Sequence, residues 1–139
     1  MKSAFLLFGV ALLTLLAPVT RAQVVISEFM AANDRSLNDE DGQASDWIEL
    51  YNAGSTAVNL SGWFLTDDAK NPTKWRFPST PLPAHGFLVV FASNKDRRTP
   101  GATLHTNFKL DAGGEYLALV QPDGTTRASE FSPTFPKQY

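Results

Sequence analysis

Beyond residue 23 the chain is a succession of short apolar runs separated by turn residues, and none keeps a 3.6-residue period long enough to make a helix. The pattern predicts an all-β domain. Strands are expected over residues 24–29, 46–52, 57–60, 62–67, 74–77, 86–92, 106–110, 115–120 and 125–131. In 46–52, Trp47, Glu49 and Tyr51 fall on one face and Ile48 and Leu50 on the other, which places Ile48 and Leu50 in the core. Residues 86–92 are apolar on both parities, the pattern of a central strand covered on both sides. Trp63 shares a face with Leu65 and is expected to be core. Trp75, between Lys74 and Arg76, is expected at an edge or on an exposed face.

The turns have a chemical basis. Pro122-Asp123-Gly124 lies between two alternating runs and predicts a hairpin, and Asp111-Ala112-Gly113-Gly114 predicts a second. Many short strands with frequent turns fit a two-sheet sandwich or a closed barrel. Two connections are longer: residues 31–45, polar and acidic, and residues 93–105, carrying Lys95, Arg97 and Arg98.

Residues 1–22 differ in kind. Lys2 precedes an apolar run from Ala4 to Ala17, and Thr20-Arg21-Ala22 follows, the layout of a cleavable signal peptide with a mature domain over 23–139. The run is shorter than the ~20 apolar residues a spanning helix needs, so no membrane attachment is expected after cleavage, and the expected location is secreted or cell surface. Losing Lys2 and Arg21 leaves ten basic against fourteen acidic residues, which argues against nucleic acid as a partner because phosphates are neutralised by clustered Lys and Arg. With no cysteine, stability must come from a core, for which the eight phenylalanines, three tyrosines and three tryptophans of residues 23–139 supply material.

Candidate chemistry is concentrated in the acidic connection. Asp39, Asp41 and Asp46 are candidate calcium ligands, because hard cations take about six to eight oxygens from carboxylates and carbonyls. The EF-hand template does not fit: with Asp39 and Asp41 at its third and fifth positions, Leu37 and Ile48 fall where ligands are needed. A solvated acidic loop closed by Asx turns is the competing expectation. Asp67 and Asp68 are adjacent, so along a strand they would point apart; their segment reads as a turn rather than a glycosidase pair. His85 and His105 have no zinc-ligand spacing, there is no Gly-x-Ser-x-Gly elbow, and both histidines are expected to be exposed. Trp75, as a sugar-stacking ring, and Arg97 and Arg98 in a basic tip are candidate binding residues. No catalytic residue and no cofactor other than the candidate calcium is expected.

The order of motifs adds a family. VISEFMAAN, DWIELYNAGSTAVNLSGWFLTDD, KWRFP, LPAHGFLVVFA, FKLDAGGEYLAL and the final PDGT hairpin together resemble the lamin tail domain over residues 24–136, in its bacterial exported branch. The resemblance implies an immunoglobulin-like β-sandwich of about eight or nine short strands, favouring sandwich over barrel. It also implies a non-catalytic exported or cell-surface module binding a protein or a cell-envelope polysaccharide. The DNA-binding role of other members does not carry over, for want of a basic patch beyond residues 95–98. The alternative is an N-terminal accessory domain, targeting or carbohydrate-contacting, of a larger exported enzyme whose catalytic part lies beyond Tyr139.

Overall fold

The structure is a computed structural model in which residues 23–138 are described; the expected signal peptide falls on residues 1–22, outside the described residues. The described chain is all-β and contains no helix. Its strands are β1 (Val24–Met30), β2 (Trp47–Asn52), β3 (Val58–Asn59), β4 (Phe64–Thr66), β5 (Trp75–Arg76), β6 (Pro81–Leu82), β7 (Phe87–Phe91), β8 (Leu104–His105), β9 (Leu117–Val120) and β10 (Arg127–Phe131).

One four-stranded sheet runs β1-β2-β7-β8, the other β10-β9-β4-β5, and β3 pairs with β6 alone. All pairings are antiparallel except β7 with β8. Both four-stranded sheets feed one apolar cluster: Ile26, Ile48, Leu50 and Val90 from the first, Leu65, Trp75, Leu117 and Leu119 from the second. Ile48 and Leu50 are fully buried, as their parity predicts. Each such side chain contributes about 1.5–3 kcal/mol over leaving it in water.

Several expectations are corrected. The doubly covered strand is β9, not β7: Leu117 and Leu119 enter the main cluster while Ala118 and Val120 pack with Tyr116 and Phe64 on the other side. β7 lies inside its sheet, yet Phe87 at its start is 61% exposed. Residues 106–110 do not form a strand. β8 lies earlier, and only Ser93 and Lys109 bridge beyond it. Trp63 is partly buried against the core rather than within it. The two-residue β6 has no signal in the sequence, because proline at Pro81 reads as a turn; paired only to β3, it is the edge position where proline is tolerated.

The turns behave as their chemistry requires. Asp123 accepts from the backbone amides of Thr125 and Thr126, Gly124 takes φ of 73°, and β9 and β10 close the predicted hairpin. Residues 111–114 do turn, with Gly114 N donating to Asp111 O, but β9 pairs with β10 and β4, so no hairpin forms there. Asn52, wholly buried, donates from Nδ2 to the carbonyls of Thr56, Leu82 and Pro83 and accepts from Gly54 N, tying β2 to the β3 and β6 region.

Candidate functional site

The two long connections meet. Asn33 closes the first from within, its Nδ2 donating to Leu37 O at 2.6 Å and to Ser45 O at 2.8 Å. Asp39 then folds the acidic tip: its Oδ1 accepts from the amides of Asp41 and Gln43, both at 3.0 Å, and its Oδ2 from Ser45 Oγ at 2.8 Å. In the second connection Asn94 and Asp96 take φ of 63° and 51°, a left-handed turn that short polar side chains tolerate best among residues other than glycine. Backbone bonds from Asn94 N to Phe108 O, Asp96 N to Thr106 O and His105 N to Arg97 O lay this segment alongside residues 105–108. Lys95 and Arg97 therefore reach the same carboxylates.

Lys95 Nζ lies 2.6 Å from Asp39 Oδ2 and 2.7 Å from Asp41 Oδ2. Arg97 spans Glu40 and Asp41, with Nη2 2.8 Å from Asp41 Oδ2. Beneath them is His105, which has no exposed surface. Its Nδ1 is 2.7 Å from Ser93 Oγ, its Nε2 is 2.8 Å from Glu40 Oε2, and its ring stacks on Phe91 with centroids 5.4 Å apart. Five charged side chains and a buried imidazole thus clamp one loop onto the other.

The electrostatics follow from the contacts. Burial would raise the Asp39 carboxyl, but the hydrogen bonds from Lys95, Ser45 and the Gln43 and Asp41 amides outweigh it and hold Asp39 well below the usual range. The hydrogen bond from His105 lowers Glu40, and those from Arg97 and then Lys95 lower Asp41. Asp41 and Glu40 in turn push Arg97 up. Asp46 runs the other way: burial raises it, although it accepts from Asn33 N at 3.1 Å.

These placements change the expectations for single residues. Asp39 and Asp41 are neutralised by Lys95 and Arg97, Asp46 faces Asn33, and among the described residues no three His, Cys, Asp or Glu are gathered to hold a metal ion. The loop has an Asx turn, as expected, and the structure puts it at Asp39, but the tip is clamped in place by Lys95 and Arg97 rather than solvated. Trp75 is not an exposed stacking ring. It pairs opposite Leu65, points with it into the core, is 0% exposed and meets Phe77 edge-on at 4.8 Å. Arg98 bonds Asp96 at 2.6 Å and lies 5.6 Å from the Trp75 ring centroid. Asp67 pairs with Lys74 at 2.6 Å, and Asp68 accepts from Lys70 N in the expected turn. His105 is the plainest reversal of an expected exposed histidine.

Ser93, His105 and Glu40 have the residue types of a nucleophile, a base and its orienting acid. The same Glu40 carboxylate also carries Arg97, which weakens its support for an imidazolium, and the ring is sealed from solvent. The arrangement serves as a buried polar tie. Ser93 reaches the rim of a pocket of about 310 Å³ that Asp46, Lys95 and Lys109 also line.

Beside the clamp is the outer face of the β1-β2-β7 sheet. The register sets Trp47 against Phe91, Glu49 against Val89 and Tyr51 against Phe87. At one end the acidic loop covers Trp47 and Phe91, with Ser36 Oγ 3.4 Å from the Trp47 indole nitrogen. At the other end Phe87, open to solvent, stacks on the half-buried Tyr51, centroids 4.6 Å apart and planes 27° apart, and the Tyr51 hydroxyl lies 3.4 Å from His85 Nδ1. Between them a groove of about 460 Å³ is lined by Leu37 and Glu40 from the loop, Val89 from the sheet and Thr103 from the second connection. Leu37 and Phe87 are the exposed large hydrophobic residues among the described residues. Sequence parity did place Tyr51 opposite the core face of its strand, but the doubly apolar run predicted a covered Phe87, and nothing in it showed that the loop would cover only half of that face.

Among protein families, the lamin tail domain matches residues 18–133 of the chain. Comparison with curated proteins gives no match.

Proposed function

The chain belongs to the lamin tail domain family, and from that premise we propose that it is a non-catalytic interaction module of the bacterial exported branch. In this reading its two sheets stack as an immunoglobulin-like sandwich, the module is secreted or held at the cell surface, and it binds a protein or a cell-envelope polymer. The observation that carries the proposal is the exposed Phe87 ring stacked on the half-buried Tyr51, left open while chemically richer groups are engaged with one another. Aromatic rings presented from a rigid sheet contribute large contact area with little ordering cost. The clamp supports a structural use of the titratable groups, since Asp39, Glu40, Asp41, Lys95, Arg97 and His105 each face a partner within the chain.

The test is co-sedimentation of the chain with envelope fractions of its host, separated into wall polymer and membrane protein, alongside ester and glycoside turnover assays. Retention in one fraction without turnover is expected. Turnover abolished by Ser93→Ala would replace the proposal with a hydrolytic one.

A further inference from the structure

The open half of the sheet face sets two glutamates opposite each other. A bulge between Ile26 and Glu28 leaves Ser27 as an extra residue, and Glu28 then stands directly opposite Glu49 across β1 and β2. Ser27 Oγ donates to Glu49 Oε1 at 2.7 Å, but among the described residues no lysine or arginine pairs with either glutamate. Like charges directly opposed on neighbouring strands destabilise a sheet. The other outward positions, Val25 on β1, Tyr51 on β2, and Phe87 and Val89 on β7, are apolar or aromatic, so apart from the neutral Ser27 hydroxyl these positions offer the pair no compensating charge. Lys95 and Arg97 in the second connection are engaged by the acidic loop.

Building on the interaction-module reading, we infer that this face docks an extended cationic segment of a partner protein. Its Lys or Arg groups would lie between Glu28 and Glu49, and its apolar side chains would rest on Tyr51, Phe87 and Val89. A cation there would relieve the carboxylate opposition and could also lie against the Phe87 and Tyr51 ring faces. The same charges select against the other occupants. A second copy placed face to face would bring four glutamates together, and a neutral glycan would stack on the rings but leave the opposition in place.

The experiment is amide chemical-shift mapping on the exported chain with three probes: a ten-residue peptide alternating leucine and lysine, its leucine and glutamate counterpart, and the neutral hexasaccharide cellohexaose. The lysine peptide should shift the amides of Glu28, Glu49, Tyr51 and Phe87 and bind at least about tenfold more tightly than the glutamate peptide. Combining Glu28→Gln with Glu49→Gln should abolish that preference, and Phe87→Ala should weaken binding about fivefold or more. Equal binding of the two peptides, shifts elsewhere, or no response to any probe would overturn the inference. Cellohexaose moving these same amides would also overturn it, while leaving the interaction-module reading in place.

Discussion

Glu40 and His105 stand 65 residues apart in sequence, and in the fold Glu40 Oε2 lies 2.8 Å from the buried Nε2 of His105. That contact fastens the acidic loop to the sheet. The loop in turn covers the Trp47 and Phe91 end of the outer face, so the histidine decides how much aromatic surface stays dry.

His105→Ala removes the Phe91 stack, the Ser93 contact and the Glu40 contact together. A loss of about 2–4 kcal/mol in urea unfolding is expected, with the groove opening at Phe91 seen as increased hydrogen exchange on β7. A loss below about 0.5 kcal/mol would mean that the clamp is ornamental.

Acid should loosen the same clamp. Asp39, Glu40 and Asp41 have folded pKa values below their ordinary 3.8 and 4.5, so the stability they lend is complete above those values and is lost as pH falls through the folded ones. Asp123, held at about 2 by the Thr126 hydroxyl and the Thr126 and Thr125 amides, adds to the same loss. Asp46 and Glu115, raised mainly by burial, act in the opposite sense and soften its onset. The melting temperature should fall steeply below about pH 4. Asp39→Asn should lower it at neutral pH and make the acid fall shallower; an unchanged acid slope would contradict the assignment.

The difference between the legible and the hidden parts has a physical reason. Alternation in residues 46–52 told Ile48 and Leu50 from Tyr51 because the period of a strand is local. The clamp was invisible because Lys95 meets Asp39 across 56 residues, and Glu40 meets His105 across 65, with no spacing rule to announce either. The burial of Trp75 is hidden by its neighbours. Lys74 and Arg76 beside it suggested exposure, whereas in a strand polar neighbours are what a buried residue should have. β6 is hidden because Pro81 reads as a turn, and β8 because its two residues, Leu104 and His105, lie in a polar connection with no alternating neighbours.

Trp75 offers a core test. Trp75→Ala should cost about 3–5 kcal/mol through the cavity it leaves. Trp75→Phe should cost clearly less, since the indole Nε1 has no hydrogen-bond partner to lose. Glycan binding that vanished in Trp75→Phe with unchanged stability would return the residue to the surface.

Gly114 closes the chain over the core. It takes φ of 97°, and a Cβ there would come 2.4 Å from the carbonyl oxygen of Phe135, whose ring is buried in the main cluster. Gly114→Ala should therefore cost at least about 2 kcal/mol, with Phe135 losing its protection first. A neutral effect in thermal unfolding would mean that this closing segment is free to shift.

The exposed Phe87 ring on Tyr51 serves binding rather than stability in the interaction-module proposal. The decisive comparison is envelope co-sedimentation of the wild-type chain against Phe87→Ser, with both unfolding curves measured. Binding reduced about tenfold at a stability within about 0.5 kcal/mol of wild type is the predicted result. Equal retention of the two proteins would contradict it.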